Sequence, residues 1–253
     1  MRIPLVLAFV GWLNLISVVF AQDDRERQLR IQVEWIEMMH ANFDELMSSH
    51  GERDESGAIS SNDGALRVTL GKMIESGDAV MLETAVILTR SGQRAKTEAI
   101  REMIYPTEFK APGWEQALDE KGEEKGEGEA EVEPNLVALG PPIPSAFETR
   151  NIGTTLEVDT VLGADGKTID LNISPEIVYF TGTAEHVSRR GEETIEVAMP
   201  LFYSMRLITA ATVRVGEFLL LGTTSPPDAD SGETDRSRKV LIFVKADVLV
   251  VGK

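Results

Sequence analysis

Apolar and polar residues alternate along most of this chain, which is the pattern expected of half-buried β-strands. The alternation starts on three apolar residues that would share one face, Ile31, Val33 and Trp35. It is clearest on either side of Asp165-Gly166, where segments 155–161 and 169–174 predict a hairpin, because Asp-Gly suits a tight turn. More strand-like stretches follow at 193–215, 218–221 and 240–251.

A second hairpin is predicted earlier in the chain. Apolar-rich runs at 80–89 and 95–105 flank Gly92, which suits a turn that needs a positive φ. The pattern of 38–46 fits either a continuing strand or a short helix. Residues 50–64 are polar and predict a loop.

One segment shows a clear helical period. Between Gly64 and Ser76 the apolar residues recur three or four positions apart, at Leu66, Leu70, Met73 and Ile74. Asn62-Asp63 can cap the start of this helix, and Gly77 can end it. The mature chain is therefore predicted to be mainly β, with antiparallel hairpins and one short helix.

The N-terminus has the form of a cleaved signal peptide. Met1-Arg2 precede an apolar run over 3–20, and Val19 and Ala21 match a signal-peptidase site. Residues 1–21 are therefore predicted to form a signal helix that directs export and is removed. No later stretch is apolar over a comparable length, so the mature chain is predicted to lack a transmembrane helix.

The charge of the chain limits which partners it can bind, and the distribution of its acidic residues separates two parts of the chain. A net charge of -17 without a basic stripe argues against nucleic acid. Acidic residues and glycines are concentrated between Glu115 and Glu133, which predicts a disordered loop over 110–134. This loop is interpreted as a solvated insertion, with calcium or partner binding as the alternatives. It separates 22–109 from 135–253.

No catalytic, cofactor-binding or metal-binding residue is predicted. The histidines, His40, His50 and His186, lack zinc-protease spacing, and the chain has no cysteine for a disulfide or a thiolate site. Gly166-Lys167-Thr168 has Val161 where a phosphate loop requires its first glycine. Segment 228–232 lacks the third oxygen ligand and the closing glutamate of a calcium loop. The sequence therefore favours a protein that is not an enzyme and binds no cofactor.

Several strand motifs occur in an informative order. Residues 31–37 read Ile-Gln-Val-Glu-Trp-Ile-Glu, and residues 89–95 read Thr-Arg-Ser-Gly-Gln-Arg-Ala. Residues 152–158 read Ile-Gly-Thr-Thr-Leu-Glu-Val, and the alternating strand 169–176 follows Asp165-Gly166. In this order they resemble the core domain of secretins, the bacterial outer-membrane channels of type II and type III secretion and of type IV pili. Ser91 stands where the family usually has asparagine.

The later motifs continue the resemblance. Residues 200–216 resemble the strand before the family's Leu-Gly-Gly turn, where this chain has Leu221-Gly222-Thr223. Residues 241–244 resemble the closing strand. The resemblance implies antiparallel hairpins of secretin-core type and a structural component of a bacterial secretion or pilus system. It also implies a place in the periplasm or outer membrane, and self-association or docking to other envelope proteins by strand pairing.

Two departures from secretins favour an alternative. The resemblance begins shortly after the predicted cleavage site, which leaves no room for the ring-forming domains that precede the core in secretins. Segment 225–237 is polar and acidic where secretins have a pore segment rich in Pro, Leu, Gly and Phe, which argues against membrane insertion there. The alternative is a monomeric periplasmic binding module that reuses the secretin-core fold without a pore.

Overall fold

The computed structural model describes residues 27–50, 62–110, 143–190 and 193–250. The predicted signal peptide at 1–21 and the predicted acidic loop beyond Lys110 lie outside these residues. Within them the elements are β1 (Arg27–Met39), α1 (His40–Ser49), α2 (Gly64–Ser76), β2 (Ala79–Thr89), β3 (Gln93–Lys110), β4 (Ile143–Leu162), β5 (Thr168–Arg190), β6 (Glu193–Arg206), β7 (Thr209–Arg214), β8 (Phe218–Thr224) and β9 (Arg238–Val250). Strands dominate, as the alternating pattern predicted.

The strands form two antiparallel sheets. The order β2-β1-β9-β8 makes the sheet that we call the helix-covered sheet, and β3-β4-β5-β6 makes the open sheet. β7 and β6 pair in turn with one edge of β5, since β7 pairs from Thr168 to Ile173 and β6 pairs from Glu176 to Arg190. The other edge of β5 pairs with β4.

The two sheets bury a common apolar core. β1 contributes the fully buried side chains Leu29, Ile31, Val33 and Trp35. Facing them are buried residues of the open sheet, Leu156, Val158, Ile169, Leu171, Met205 and Val213. These are the inward positions of the predicted strands, because a strand turns every second side chain to the same face.

The helices cover part of the opposite face of the helix-covered sheet. Side chains of β1 and β9 pack there against both helices, and this second core contains Ile36, Met38, Leu46, Leu66, Leu70, Leu241 and Phe243. β9 is consequently buried on both faces. This double burial explains why residues 240–244 form an uninterrupted apolar run instead of alternating.

The predicted hairpin of 80–89 with 95–105 is wrong. β2 pairs with β1, and β3 pairs with β4, so the turn at Gly92 carries the chain from one sheet to the other. Ile87 of β2 and Ala95 of β3 both pack in the core between the sheets. When β2 and β3 lie in two sheets that face each other, both side chains are buried in the one core between the sheets. This burial explains why the two strands belong to different sheets.

The predicted hairpin around Asp165-Gly166 is confirmed. β4 and β5 pair up to Leu162 and Ile169, and Gly166 has a positive φ of 64°. Asp165 Oδ1 accepts hydrogen bonds from the amides of Lys167, at 2.9 Å, and Thr168, at 3.1 Å. The Lys167 amide is the main cause of the lowered pKa of Asp165. Gly166-Lys167-Thr168 is therefore a hairpin turn and not a phosphate loop.

α2 has the predicted limits, but its first turn is stabilised differently. Gly77 ends the helix with a φ of 87°, and Asn62 Oδ1 accepts the Gly64 amide at 2.8 Å. Asp63 instead binds β8: its Oδ2 accepts the Leu220 amide at 2.7 Å, and its amide donates to the Phe218 carbonyl at 2.8 Å. Asp63 therefore covers part of the outer edge of β8.

α1 resolves the open choice at 38–46. The strand continues to Met39, and a helix begins at His40. α1 packs Leu46 into the second core, which explains why this segment is a helix. The described residues therefore contain two helices, whereas the sequence predicted only the one at 64–76 and left 38–46 open.

Candidate assembly interface

Two of the histidines predicted to be without a metal role, His40 and His50, have described side chains, and each lies close to a carboxylate. His40 Nε2 is 3.4 Å from Asp44 Oδ1, and His50 Nε2 is 2.8 Å from Asp63 Oδ1. The side chain of His186 lies outside the described part. Among the described residues, no group of three or more His, Asp or Glu side chains is placed to hold a metal ion.

Segment 228–232, which has the start of a calcium-loop pattern, is folded as a turn around Asp228. Asp228 Oδ1 accepts hydrogen bonds from the Ser231 amide at 2.8 Å, the Ser231 hydroxyl at 2.9 Å and the Asp230 amide at 3.1 Å. These bonds, chiefly the one from the Ser231 amide, lower the pKa of Asp228. The carboxylate oxygen is therefore used by the loop itself.

In the same loop, the pKa of Asp235 is lowered strongly. Its carboxylate accepts the Ser237 hydroxyl at 2.6 Å and Arg238 Nε at 2.6 Å. These bonds, led by the one from Ser237, lower the pKa of Asp235 from 3.8 to about 2. The folded state therefore favours the ionised carboxylate.

Acid titration should reveal this preference. A carboxyl group with a lowered pKa in the folded state stabilises the fold above its unfolded pKa, and this contribution disappears as the pH falls towards about 2. We expect the melting temperature of Asp235→Asn to fall less steeply than that of the wild type between pH 4 and pH 2. Asp230→Asn, which removes the same charge from the same loop and leaves the hydrogen bonds of Asp235 in place, is the matched control, and Asp235→Asn should differ from it in slope. Parallel slopes for all three proteins would contradict the assignment.

The open sheet ends in two long strand edges that have no partner strand among the described residues. One is β3, with 18 residues. The other is β6 followed directly by β7, so that 193–206 and 209–214 form a nearly continuous edge. β3 and the β6–β7 edge run in opposite directions, because an antiparallel order of four strands reverses direction three times.

The two edges also lie at the same height on the sheet. Gln93 of β3 is connected through the paired strands to Ala211 of β7, by way of Thr160 and Leu171. Ile100 is connected in the same way to Ser204 of β6. A second copy placed beside the first could therefore continue the sheet in antiparallel order over most of its length.

In the described part of the chain, β2 is the outermost strand of the helix-covered sheet and pairs on one side only. Its 11 residues contain no proline, lysine or arginine, and Val80, Val86 and Leu88 are each at least half exposed. Monomeric proteins usually protect such edges with prolines, lysines or bulges, because unpaired strands recruit other strands. β3 contains Lys96, Lys110, Pro106 and a bulge beside Pro106, and β6 contains Pro200, so these edges are protected at some positions but not along their whole length.

Two arms extend from the open sheet. The pairing of β4 with β5 ends at Gly153 and Val178, whereas β3 with β4 continues to Lys110 and Ile143 as the first arm. β5 with β6 continues to Arg190 and Glu193 as the second arm. At about 3.3 Å per residue, the full length of β3 approaches 60 Å.

The arms lie against each other. Arg150 of the first arm donates to Ser204 Oγ of the second at 2.9 Å, and the rings of Tyr105 and Phe202 are 5.5 Å apart. At the root of the first arm, a Cβ on Gly153 would lie 2.2 Å from the Ala99 carbonyl oxygen. The close approach of β3 and β4 therefore requires glycine at this position.

Sequence reasoning missed this interface because it placed β2 and β3 in one hairpin. The signal that was available was chemical: 79–89 lacks the prolines, lysines and arginines that often protect the edge of a sheet. No helix in the described part of the chain is long and apolar enough to span a membrane.

These features define the class as a two-sheet, antiparallel β-protein with long edge strands. No protein-family model and no curated protein matches the chain. Similar solved structures are secretins, as the strand motifs predicted. InvG of the Salmonella SPI-1 type III secretion injectisome shares 13% identity, with 90% of this chain and 65% of InvG covered and a TM-score of 0.39.

Two further solved structures give similar values. Aeromonas hydrophila ExeD shares 12% identity, with 89% of this chain and 49% of ExeD covered, at a TM-score of 0.42. The Vibrio cholerae type IV competence pilus secretin PilQ shares 13% identity, with 88% of this chain and 57% of PilQ covered, at a TM-score of 0.36. The chain thus spans about half to two thirds of these solved chains.

Proposed function

We propose that this protein is a secretin-like structural subunit of a bacterial secretion or pilus system. It is exported, acts in the periplasm or at the outer membrane, and has no catalytic role. It associates head to tail with further copies through the edges of the open sheet, and it docks other envelope proteins of the same system.

The matched edges of the open sheet carry this proposal. β3 and the β6–β7 edge are long, antiparallel to each other and at the same height, and neither has a partner strand among the described residues. A contact between two different edges of the same chain is head to tail, and repetition of such a contact produces a ring when the rotation closes. The order of the strand motifs independently supports secretin-type assembly.

Disulfide cross-linking can test the contact, because the chain has no cysteine. Glu98 of β3 is level with Arg206 of β6, because each is paired in register through Thr155 and Glu176. The side chains of Glu98 and Arg206 therefore point to the same face of the open sheet. We expect at least one of E98C/S204C, E98C/R206C and E98C/A210C to yield a ladder of covalent oligomers on oxidation. A disulfide needs Cα atoms within about 7 Å, so a ladder reports paired edges.

The matched control is E98C/N172C, which places the second cysteine on the same face but on the central strand β5. It should give no ladder, and neither should the single variants. Light scattering on the mature protein, with and without detergent, gives the mass independently. A strict monomer in both conditions, without a ladder from any pair, would reject head-to-tail assembly and favour the monomeric binding module.

A further inference from the structure

The segment that joins β8 to β9 is a folded loop. Residues 225–237 form an isolated bridge between Pro227 and Thr234, and the Asp235 amide donates to the Pro226 carbonyl at 2.9 Å. Pro226 is buried although the surrounding loop is polar. We call this segment the β8–β9 loop.

The β8–β9 loop contacts both strands of the second arm near its root. The Tyr203 hydroxyl of β6 donates to the Ser225 carbonyl at 3.0 Å and lies 3.2 Å from Thr234 Oγ1. On β5, Thr181 lies so close to Gly232 that a Cβ on this glycine would be 2.8 Å from the Thr181 Cβ. Thr181 is the extra residue of a β-bulge between Phe180 and Gly182.

The same loop is bound to the helix-covered sheet. Arg238, the first residue of β9, donates to Glu37 Oε1 of β1 at 2.7 Å and to the Pro227 carbonyl at 2.9 Å. The Ser237 carbonyl accepts the amide of His40, the first residue of α1, at 2.7 Å. The loop therefore connects the second arm directly to the layer behind it.

The second arm has structural reasons to need such a connection. Beyond Val178 it has lost its backbone pairing with β4, so it continues as a two-stranded ribbon that meets the first arm through side chains such as Phe202 and Tyr105. Isolated two-stranded ribbons are marginally stable, and a bulge changes the local bend and twist. The bulge at Thr181 lies just beyond Val178 and is also the point that Gly232 contacts.

We propose that the β8–β9 loop is a strap that holds the second arm at a fixed angle to the helix-covered sheet. The contacts of Tyr203 and Thr181 restrain the arm beside its bulge, and Arg238 anchors the loop to β1. The strap acts within one protomer, so it does not depend on the proposed head-to-tail assembly.

Distance measurements between spin labels can test the strap. Labels are attached at Val86→Cys, which is 50% exposed on β2, and at Ala198→Cys, which is exposed on β6. The labelled mature chain is diluted into unlabelled chain, so that distances within one protomer dominate. In the strap variant Tyr203→Phe/Thr234→Val, which keeps every charge, we expect the distance distribution to become at least about twice as wide as in the parent. We expect the amides of 179–184 to exchange about tenfold faster, as expected for a lost net hydrogen bond.

A matched control removes a tyrosine hydroxyl from the other arm. Tyr105→Phe loses a contact of 3.3 Å with Glu148 Oε2, and it should leave both the distance distribution and the exchange at 179–184 unchanged. Arg238→Met, which frees the strap from Glu37, should widen the distribution in the same way as the first variant. If both strap variants are folded and both keep the parental width and exchange rate, the loop is not a strap.

Discussion

Replacing Gly153 by alanine is expected to lower the free energy of unfolding by about 3 kcal/mol or more. Gly153 has a φ of 124°, and a Cβ there would meet the Ala99 carbonyl oxygen at 2.2 Å and the Ile100 Cα at 3.2 Å. These are backbone atoms of the paired strand β3, which cannot move away without breaking the β3–β4 pairing. For a chain of this size the melting temperature should fall by about 10 °C.

Gly92→Ala is the matched control for this prediction. Gly92 also has a positive φ, of 75°, but a Cβ there would meet no atom within 4 Å. Its cost should therefore be limited to the backbone conformation, about 1 kcal/mol. Thermal unfolding of both variants beside the wild type separates the two causes. Equal losses would show that close strand approach at Gly153 is not the dominant constraint.

Replacing Arg67 by methionine is expected to destabilise the protein by about 3 kcal/mol, because it leaves a buried carboxylate without its cation. Arg67 Nε of α2 donates to Glu34 of β1, whose side chain is only 5% exposed. The Arg67 guanidinium also lies 5.7 Å from the centre of the Phe218 ring. Urea denaturation at neutral pH would measure the loss directly.

Two variants determine whether the unpaired charge causes this loss. In Glu34→Leu/Arg67→Met both charges are removed, so most of the lost stability should return. Arg94→Met breaks a pair with Asp159 at 2.9 Å, but the Arg94 side chain is 67% exposed. It should cost much less than Arg67→Met, because water screens exposed pairs. A double variant as unstable as Arg67→Met would contradict the explanation.

Local patterns predicted the elements whose limits depend on nearby residues. The limits of α2 at Gly64 and Ser76 follow from its apolar period and from Gly77. The β4–β5 hairpin follows from Asp165-Gly166, where the turn residues themselves provide the required backbone conformation. In both cases the decisive contacts are within a few residues of each other.

Other features depended on residues far apart in the chain. The turn at Gly92 is compatible with a hairpin and with a connection between sheets, and only the burial of Ile87 and Ala95 in the shared core distinguishes the two. Asp63 occupies a helix N-cap position, yet its carboxylate binds the Leu220 amide, 157 residues further on. No local pattern contains this information.

The sequence could predict that the protein associates through its strands, but it could not predict which strands form the candidate interface. A secretin-type motif order implies strands that seek partners, but it does not say which edges stay unpaired. That depends on the sheet order, which among the described residues leaves β3 and the β6–β7 edge without a partner strand. Part of β8 is instead covered by Asp63. The polar sequence of 225–237 argued only against membrane insertion, whereas the structure shows that Tyr203 and Arg238 bind this segment to both sheets.

By itself the sequence determined that this protein is built from alternating strands, with one well-defined helix and a tight Asp-Gly hairpin. It did so because turn chemistry and side-chain periodicity act over a few residues. Only the tertiary structure decided which strands became neighbours, which edges stayed open and where the arms left the sheet. Those choices depend on burying one shared core from both sheets, and the residues that meet there are separated by most of the chain.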